Sequence, residues 1–229
     1  MTVSQGQRLR KAAAKAAKRK TIVAEKLEAQ RRELAISKPR HIDLAASPIV
    51  ACMMTEDFEK RGMGTLFIAR KLTLGRYGAC VFLLDPWCLG IKDAYFRVFD
   101  AEDYEFYRDQ TDKEIAAAPM DPDVARKLVR DAAAYGASNG FTPPDDLGDL
   151  ERIFGDVTPA DVTFTFGVDG KPYYVVGPND PPARVRRILE TLEFNLGLNG
   201  FQYEYPVEED EDDLIEGELG DEEPEPGKS

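Results

Sequence analysis

Histidine is almost absent from this chain: His41 is the only one in 229 residues. One histidine excludes a multi-histidine metal centre, and it leaves a serine or cysteine nucleophile without its customary base. Cysteine is nearly as scarce. Cys52, Cys80 and Cys88 are an odd number with no CxxC spacing, which gives neither a disulfide framework nor a zinc site. Scarce, unpatterned cysteine points to a reducing, cytoplasmic compartment. No apolar run approaches the roughly 20 residues of a membrane-spanning helix, and no apolar stretch of signal-peptide type follows the charged start. Neither GxxxxGK[ST] nor GxGxxG occurs, so no nucleotide cofactor is expected, and no spacing of carboxylates marks a metal site.

What the sequence does have is charge, unevenly placed. The net charge of -12 splits by region. Residues 1–40 hold 12 Lys/Arg against 3 Glu, or +9. Residues 204–229 hold 13 acids against one Lys, or -12. The expected organisation is therefore a basic helical arm over residues 1–40, one globular domain over 41–203, and an acidic tail over 204–229 that is too charged to fold by itself. The arm is rich in strong helix formers. Its Arg8, Arg10, Lys11, Lys15, Lys18, Arg19 and Lys20 suit electrostatic, sequence-independent contact with RNA or DNA phosphates. It lacks interleaved aromatics for base stacking and an apolar face for a membrane. Residues 37–48 read as a linker, broken by Pro39 and Pro48.

The middle of the chain is organised around residues 64–100, with the only Trp and two of the three Cys. Residues 65–72 and 77–84 read as an antiparallel hairpin about Leu74-Gly75, in a register setting Thr73 opposite Arg76 and Gly64 opposite Asp85. Residues 79–84 show no polar alternation, the pattern of a central strand covered on both faces. Asp85-Pro86 stops the ladder, and residues 87–93 read as a loop. Residues 95–99 read as a third strand or the run into the next helix.

Residues 49–54 form a short apolar segment, and Thr55 caps a short helix to Arg61. Asp100 caps a helix ending near Ala118, with Pro119 as its stop. Pro122 opens another, with Val124, Leu128, Ala132 and Tyr135 on one face and Asn139-Gly140 as its stop. Residues 146–154 form a third. Residues 162–166 and 172–176 flank the turn signal Asp169-Gly170, so a second hairpin is expected. Asp180 is the expected N-cap of a last helix, with Pro181 in its first position and Val185, Ile188, Leu189 and Leu192 as its stripe. Two hairpins and four or five helices in separate blocks predict an α+β fold with a mainly antiparallel sheet.

The stretches GMGTLFIARKL, VFLLDPWCLGIKDAYF, AYGASNGF, LERIFGD and GKPYYVVGPNDPPARVRRILETL together resemble a family of uncharacterised bacterial proteins. The resemblance covers most of residues 62–192 and implies one continuous domain. It carries no catalytic role.

Two clusters stand out as candidate sites. Asp85, Cys88, Lys92 and Asp93 bring a thiol, an amine and two carboxylates to one strand end. A cation beside a thiolate can activate it, whereas a buried cysteine is inert packing. Arg184 and Arg187, at the start of the last helix, suit an anion. The leading expectation is a non-enzymatic binding protein whose core contacts a protein partner and whose arm adds weak nucleic-acid affinity. The alternative is an enzyme centred on Asp85, Cys88, Lys92 and Asp93.

Overall fold

The computed structural model describes Leu44, residues 47–177 and residues 180–205. Its centre is a five-stranded antiparallel sheet in the order β4-β3-β2-β1-β5. The strands are β1 (Ile49–Thr55), β2 (Gly64–Lys71), β3 (Tyr77–Asp85), β4 (Gly90–Phe99) and β5 (Ala117–Pro119). The helices are α1 (Phe58–Arg61), α2 (Ala101–Ile115), α3 (Pro122–Ser138), α4 (Leu147–Leu150, extended by a 3-10 turn over Glu151–Phe154) and α5 (Pro182–Leu196). Short strands β6 (Tyr173–Val175) and β7 (Gln202–Glu204) flank α5 and pair in parallel. The fold is α+β.

The apolar run of β3 follows from burial on both faces. Cys80, Phe82 and Leu84 join Leu66 and Ile68 of β2 against Leu128, Val129 and Ala132 of α3 and Leu150, Ile153 and Phe154 beyond it. Ala79 and Val81 join Phe67 and Ala69 on the opposite face, which Tyr104 of α2 covers. Side chains alternate between faces, so a strand with two covered faces has no place for a polar alternate. β3 is interior, as expected, although the middle position belongs to β2.

The first hairpin is one residue out of the expected register: Gly64 faces Leu84 and Lys71 faces Tyr77. The turn is the cause. Three residues, Thr73–Gly75, form the loop, with Leu74 at φ 59° and Gly75 at φ 70°. Leu72 and Arg76 therefore become the closing pair, through a 2.8 Å bond from Leu72 N to Arg76 O.

Other expectations fail at element ends. Thr55 belongs to β1, where its hydroxyl accepts from Thr65 N at 2.9 Å; Asp57, not Thr55, precedes α1. α2 stops at Ile115, and Ala117–Pro119 adds an edge strand to β1 instead of a last helical turn. Residues 162–166 form no strand. The Asp169-Gly170 turn is present, but it closes only a single bridge between Val168 and Lys171. β6 turns instead to the later β7, because a helix between two strands permits parallel pairing. Pro182, not Pro181, opens α5, and Asp180 does not cap it.

The expected linker is partly packed in the fold. Leu44 is buried in the main core. Arg70 reaches across from β2 and donates to the carbonyls of Leu44 (2.8 Å), Ser47, Ile153 and Phe154 (2.7 Å). A buried guanidinium needs such partners, and here they tie the entry of the chain to the turn after α4.

A third cluster lies to one side of the sheet. Tyr174 and Val176 from and after β6, and Val185, Ile188 and Leu192 of α5, enclose Cys88 and Leu89 from the β3–β4 loop. That loop joins the satellite cluster to the sheet.

Candidate functional site

The residues from Asp85 to Asp93 divide between two environments. Residues 86–89 form a tight four-residue connection between Asp85 and Gly90, which face each other in the ladder. Asp85 turns inward, and its Oδ1 accepts from Trp87 N at 3.2 Å and Cys88 N at 2.8 Å. Three of the loop carbonyls are occupied as well. Pro86 O accepts from Gly167 N at 2.8 Å. Trp87 O accepts from Tyr173 N and from the Tyr135 hydroxyl, each at 2.9 Å. Cys88 O accepts from the buried Asn139 Nδ2 at 2.9 Å. The Trp87 indole donates to Glu59 O at 2.7 Å. Gly90 has φ +74°, and a Cβ there would stand 2.2 Å from Ala132 O, so the loop lies directly on α3.

This environment governs the chemistry of Asp85 and Cys88. Burial pushes the Asp85 carboxyl up to about 6, against the opposing pull of the Cys88, Leu89 and Trp87 amides and the Lys92 charge. Cys88 has 0% exposure, and burial followed by the Asp85 charge pushes its thiol well up. A nucleophile needs the thiolate, and this surrounding disfavours it. Asp93 is exposed on β4, where its carboxylate accepts from Ala94 N at 2.8 Å. The four residues grouped by sequence do not converge on a common cavity.

Lys92 departs from its neighbours. Leu83 faces Asp93 and Leu84 faces Ile91, which leaves Lys92 as the extra residue of a β-bulge. Bulges re-aim a side chain out of strict alternation. Lys92 Nζ lies 3.9 Å from Asp180 Oδ2, with its side chain 16% exposed. Asp180 is held from four directions: it accepts from Gly177 N and the Tyr174 hydroxyl, each at 3.0 Å, and its Oδ1 lies 3.6 Å from Arg184 Nε. Burial alone would raise the Asp180 carboxyl; the Gly177 amide, Lys92, Tyr174 and Arg184 together hold it below its usual range. Asp180 thus serves as a bracket for Lys92 and Arg184.

Lys92, Arg184 and Arg187 line one open cleft of about 460 Å³. Leu89, Ile91, Ile188 and Phe141 supply its apolar surface, and Thr142, Thr191 and Gly140 complete it. Arg184, Arg187, Ile188 and Thr191 fall at i, i+3, i+4 and i+7 of α5, a single helical face. The far wall is fixed by Gly140, at φ +92°, where a Cβ would sit 3.0 Å from Thr191 Cγ2 and 2.1 Å from Asn195 Nδ2. The end of α3 can therefore press close to α5. The structure brings the sequence-derived pair Arg184 and Arg187 together with Lys92, which the sequence grouped elsewhere.

Sequence reasoning missed Phe141, Thr142 and Thr191. The visible signal was Asn139-Gly140, the stop that turns the chain after α3, but nothing in the sequence says that the stop faces α5. Arg8, Arg10, Lys11, Lys15, Lys18, Arg19 and Lys20 lie outside the described residues. Among the described residues no group of three or more His, Cys, Asp or Glu could hold a metal ion, and no helix is long and apolar enough to cross a membrane.

Comparisons with protein-family models, with curated proteins and with solved structures gave no match.

Proposed function

We propose that this chain is a non-enzymatic binding protein whose folded part takes an anionic ligand in the cleft of Lys92, Arg184 and Arg187. One observation carries the reading: three cations converge on one open cleft beside a single bracketing carboxylate, Asp180. The surplus of positive charge is unusual for its surroundings, since the sequence between the charged ends is itself acidic. The enzyme alternative is disfavoured by the sealing of Cys88 and the use of Asp85 as a turn bracket. Titration of the full chain with inorganic phosphate at fixed ionic strength tests the reading. Binding that is lost in the double variant Arg184→Ala/Arg187→Ala supports it. No binding, or binding unchanged in that variant, contradicts it.

The basic N-terminal segment supports a second, separate contact. Its net +9 over residues 1–40 suits nucleic-acid phosphates. Removing residues 1–40 is expected to abolish RNA binding at low salt; full retention would contradict that role.

A further inference from the structure

The cleft is polarised along its length, and we infer that its ligand is an elongated organic phosphomonoester: a dianionic head on Lys92 and Arg184, and a neutral, ring-bearing body reaching Phe141 and Thr142. This rests on the anion-cleft reading and specifies its ligand class.

Length comes first. Arg184 and Thr191 lie seven residues apart on α5, or about 10 Å at ~1.5 Å per residue. The cleft volume of about 460 Å³ has room for some fifteen waters at ~30 Å³ each, far more than one phosphate group occupies. It falls within the span of small-molecule sites, roughly 300–1,000 Å³.

The two ends differ in charge. Arg184 stands in the first turn of α5, whose N-terminal end carries positive dipole charge. Lys92 adds its ammonium there. Against these cations and Arg187 stands the carboxylate of Asp180, so the cationic half keeps a surplus of two charges. A phosphomonoester carries about -1.5 to -2 at neutral pH, which matches that surplus better than the single charge of a carboxylate. The opposite end lies at the C-terminal end of α3, where the helix dipole disfavours an anion. Gly140, Phe141, Thr142 and Thr191 there offer a ring face and hydroxyls but no formal charge. Between the ends, Leu89, Ile91 and Ile188 make an apolar floor suited to carbon rather than to a second charged group.

The test compares inorganic phosphate with phenyl phosphate on the full chain by calorimetric titration at one ionic strength. Phenyl phosphate is expected to bind at least about tenfold tighter, which is the scale of ~1.4 kcal/mol per tenfold. Phe141→Ala is expected to cut that advantage below about threefold while inorganic phosphate binds as before. Thr142→Trp, at an exposed position, fills the neutral end and is expected to act the same way without touching the partly buried Phe141. Equal affinity for the two ligands in the wild type, or an advantage that survives both variants, would overturn the ligand class while leaving the anion cleft standing. If neither ligand binds the wild type, the cleft reading itself fails.

Discussion

Asp85 and Lys92 are seven residues apart, in one continuous β3–β4 hairpin, yet they meet opposite fates. At Asp85 and in the loop that follows, the carboxylate, the Trp87 indole and the Pro86, Trp87 and Cys88 carbonyls find partners within the protein. At Lys92 a one-residue bulge sends an ammonium outward to a cleft formed with a helix nearly one hundred residues later. The contrast teaches that a crowd of reactive residue types in sequence is a poor guide to a site. Satisfied hydrogen bonds make the first region architecture. Convergent, incompletely neutralised charge makes the second a place where something can bind.

The largest effect is expected where the loop presses on α3. Gly90→Ala puts a Cβ at φ +74° and against the Ala132 carbonyl. Left-handed strain and overpacking together are expected to cost roughly 3–5 kcal/mol, read by urea denaturation. A loss below about 1 kcal/mol would mean that the loop does not lie fixed on α3.

The buried carboxylate gives a pH signature of slightly smaller size. Asp85 is raised to about 6 in the folded protein, above the ~3.9 of an unfolded aspartate. Between those values the folded state holds the proton better. Its contribution to stability is therefore complete below about pH 4 and is lost as pH rises through about 6, by up to roughly 3 kcal/mol. Asp85→Asn keeps an oxygen acceptor for Trp87 N and Cys88 N and is expected to remove this slope. Wild type and variant compared by denaturation from pH 4 to 7 would show it; parallel curves would place Asp85 in contact with water.

Cys88→Ser is expected to cost about 1–3 kcal/mol, because a hydroxyl replaces a thiol among Tyr174, Val185, Ile188 and Leu192. In the wild type, Cys88 is expected to resist thiol reagents until the protein unfolds. Labelling of Cys88 in the native state would reopen the nucleophile reading. The smallest effect belongs to the cleft. Arg187→Ala, at an exposed position, is expected to shift stability by no more than ~0.5 kcal/mol while weakening phosphate binding. A large loss of stability there would make Arg187 part of the architecture too.

Two strands of the sheet, β2 and β3, are legible in the sequence, and β4 in part, although it begins at Gly90 inside the stretch that reads as loop; β1 and β5 are not. Covered strands and capped helices leave local marks. The unalternating run of β3, Asp100 before α2 and Pro122 at the start of α3 are such marks. Asp103 N donates to Asp100 Oδ1 at 2.9 Å, as an N-cap requires. The register of the first hairpin was not legible, since it turned on whether Leu74 would adopt a positive φ, a conformation that a branched side chain rarely takes. The pairing of β6 with β7 was hidden for a different reason: the partner strand lies beyond a whole helix. The cleft was half visible. Arg184 and Arg187 stood out by helical spacing, but the bulge at Lys92 and the approach of Gly140 to α5 depend on contacts between distant segments, which no local pattern records.

On the proposed reading, the cleft and not the loop beside it meets the ligand. Backbone amide shifts of the full chain, followed during titration with phenyl phosphate, test that most directly. The largest changes are expected at Ile91, Lys92, Phe141, Thr142, Arg184, Arg187 and Thr191, with Trp87 and Cys88 nearly still. Changes centred on Trp87 and Cys88, or confined to residues 1–40, would contradict the account.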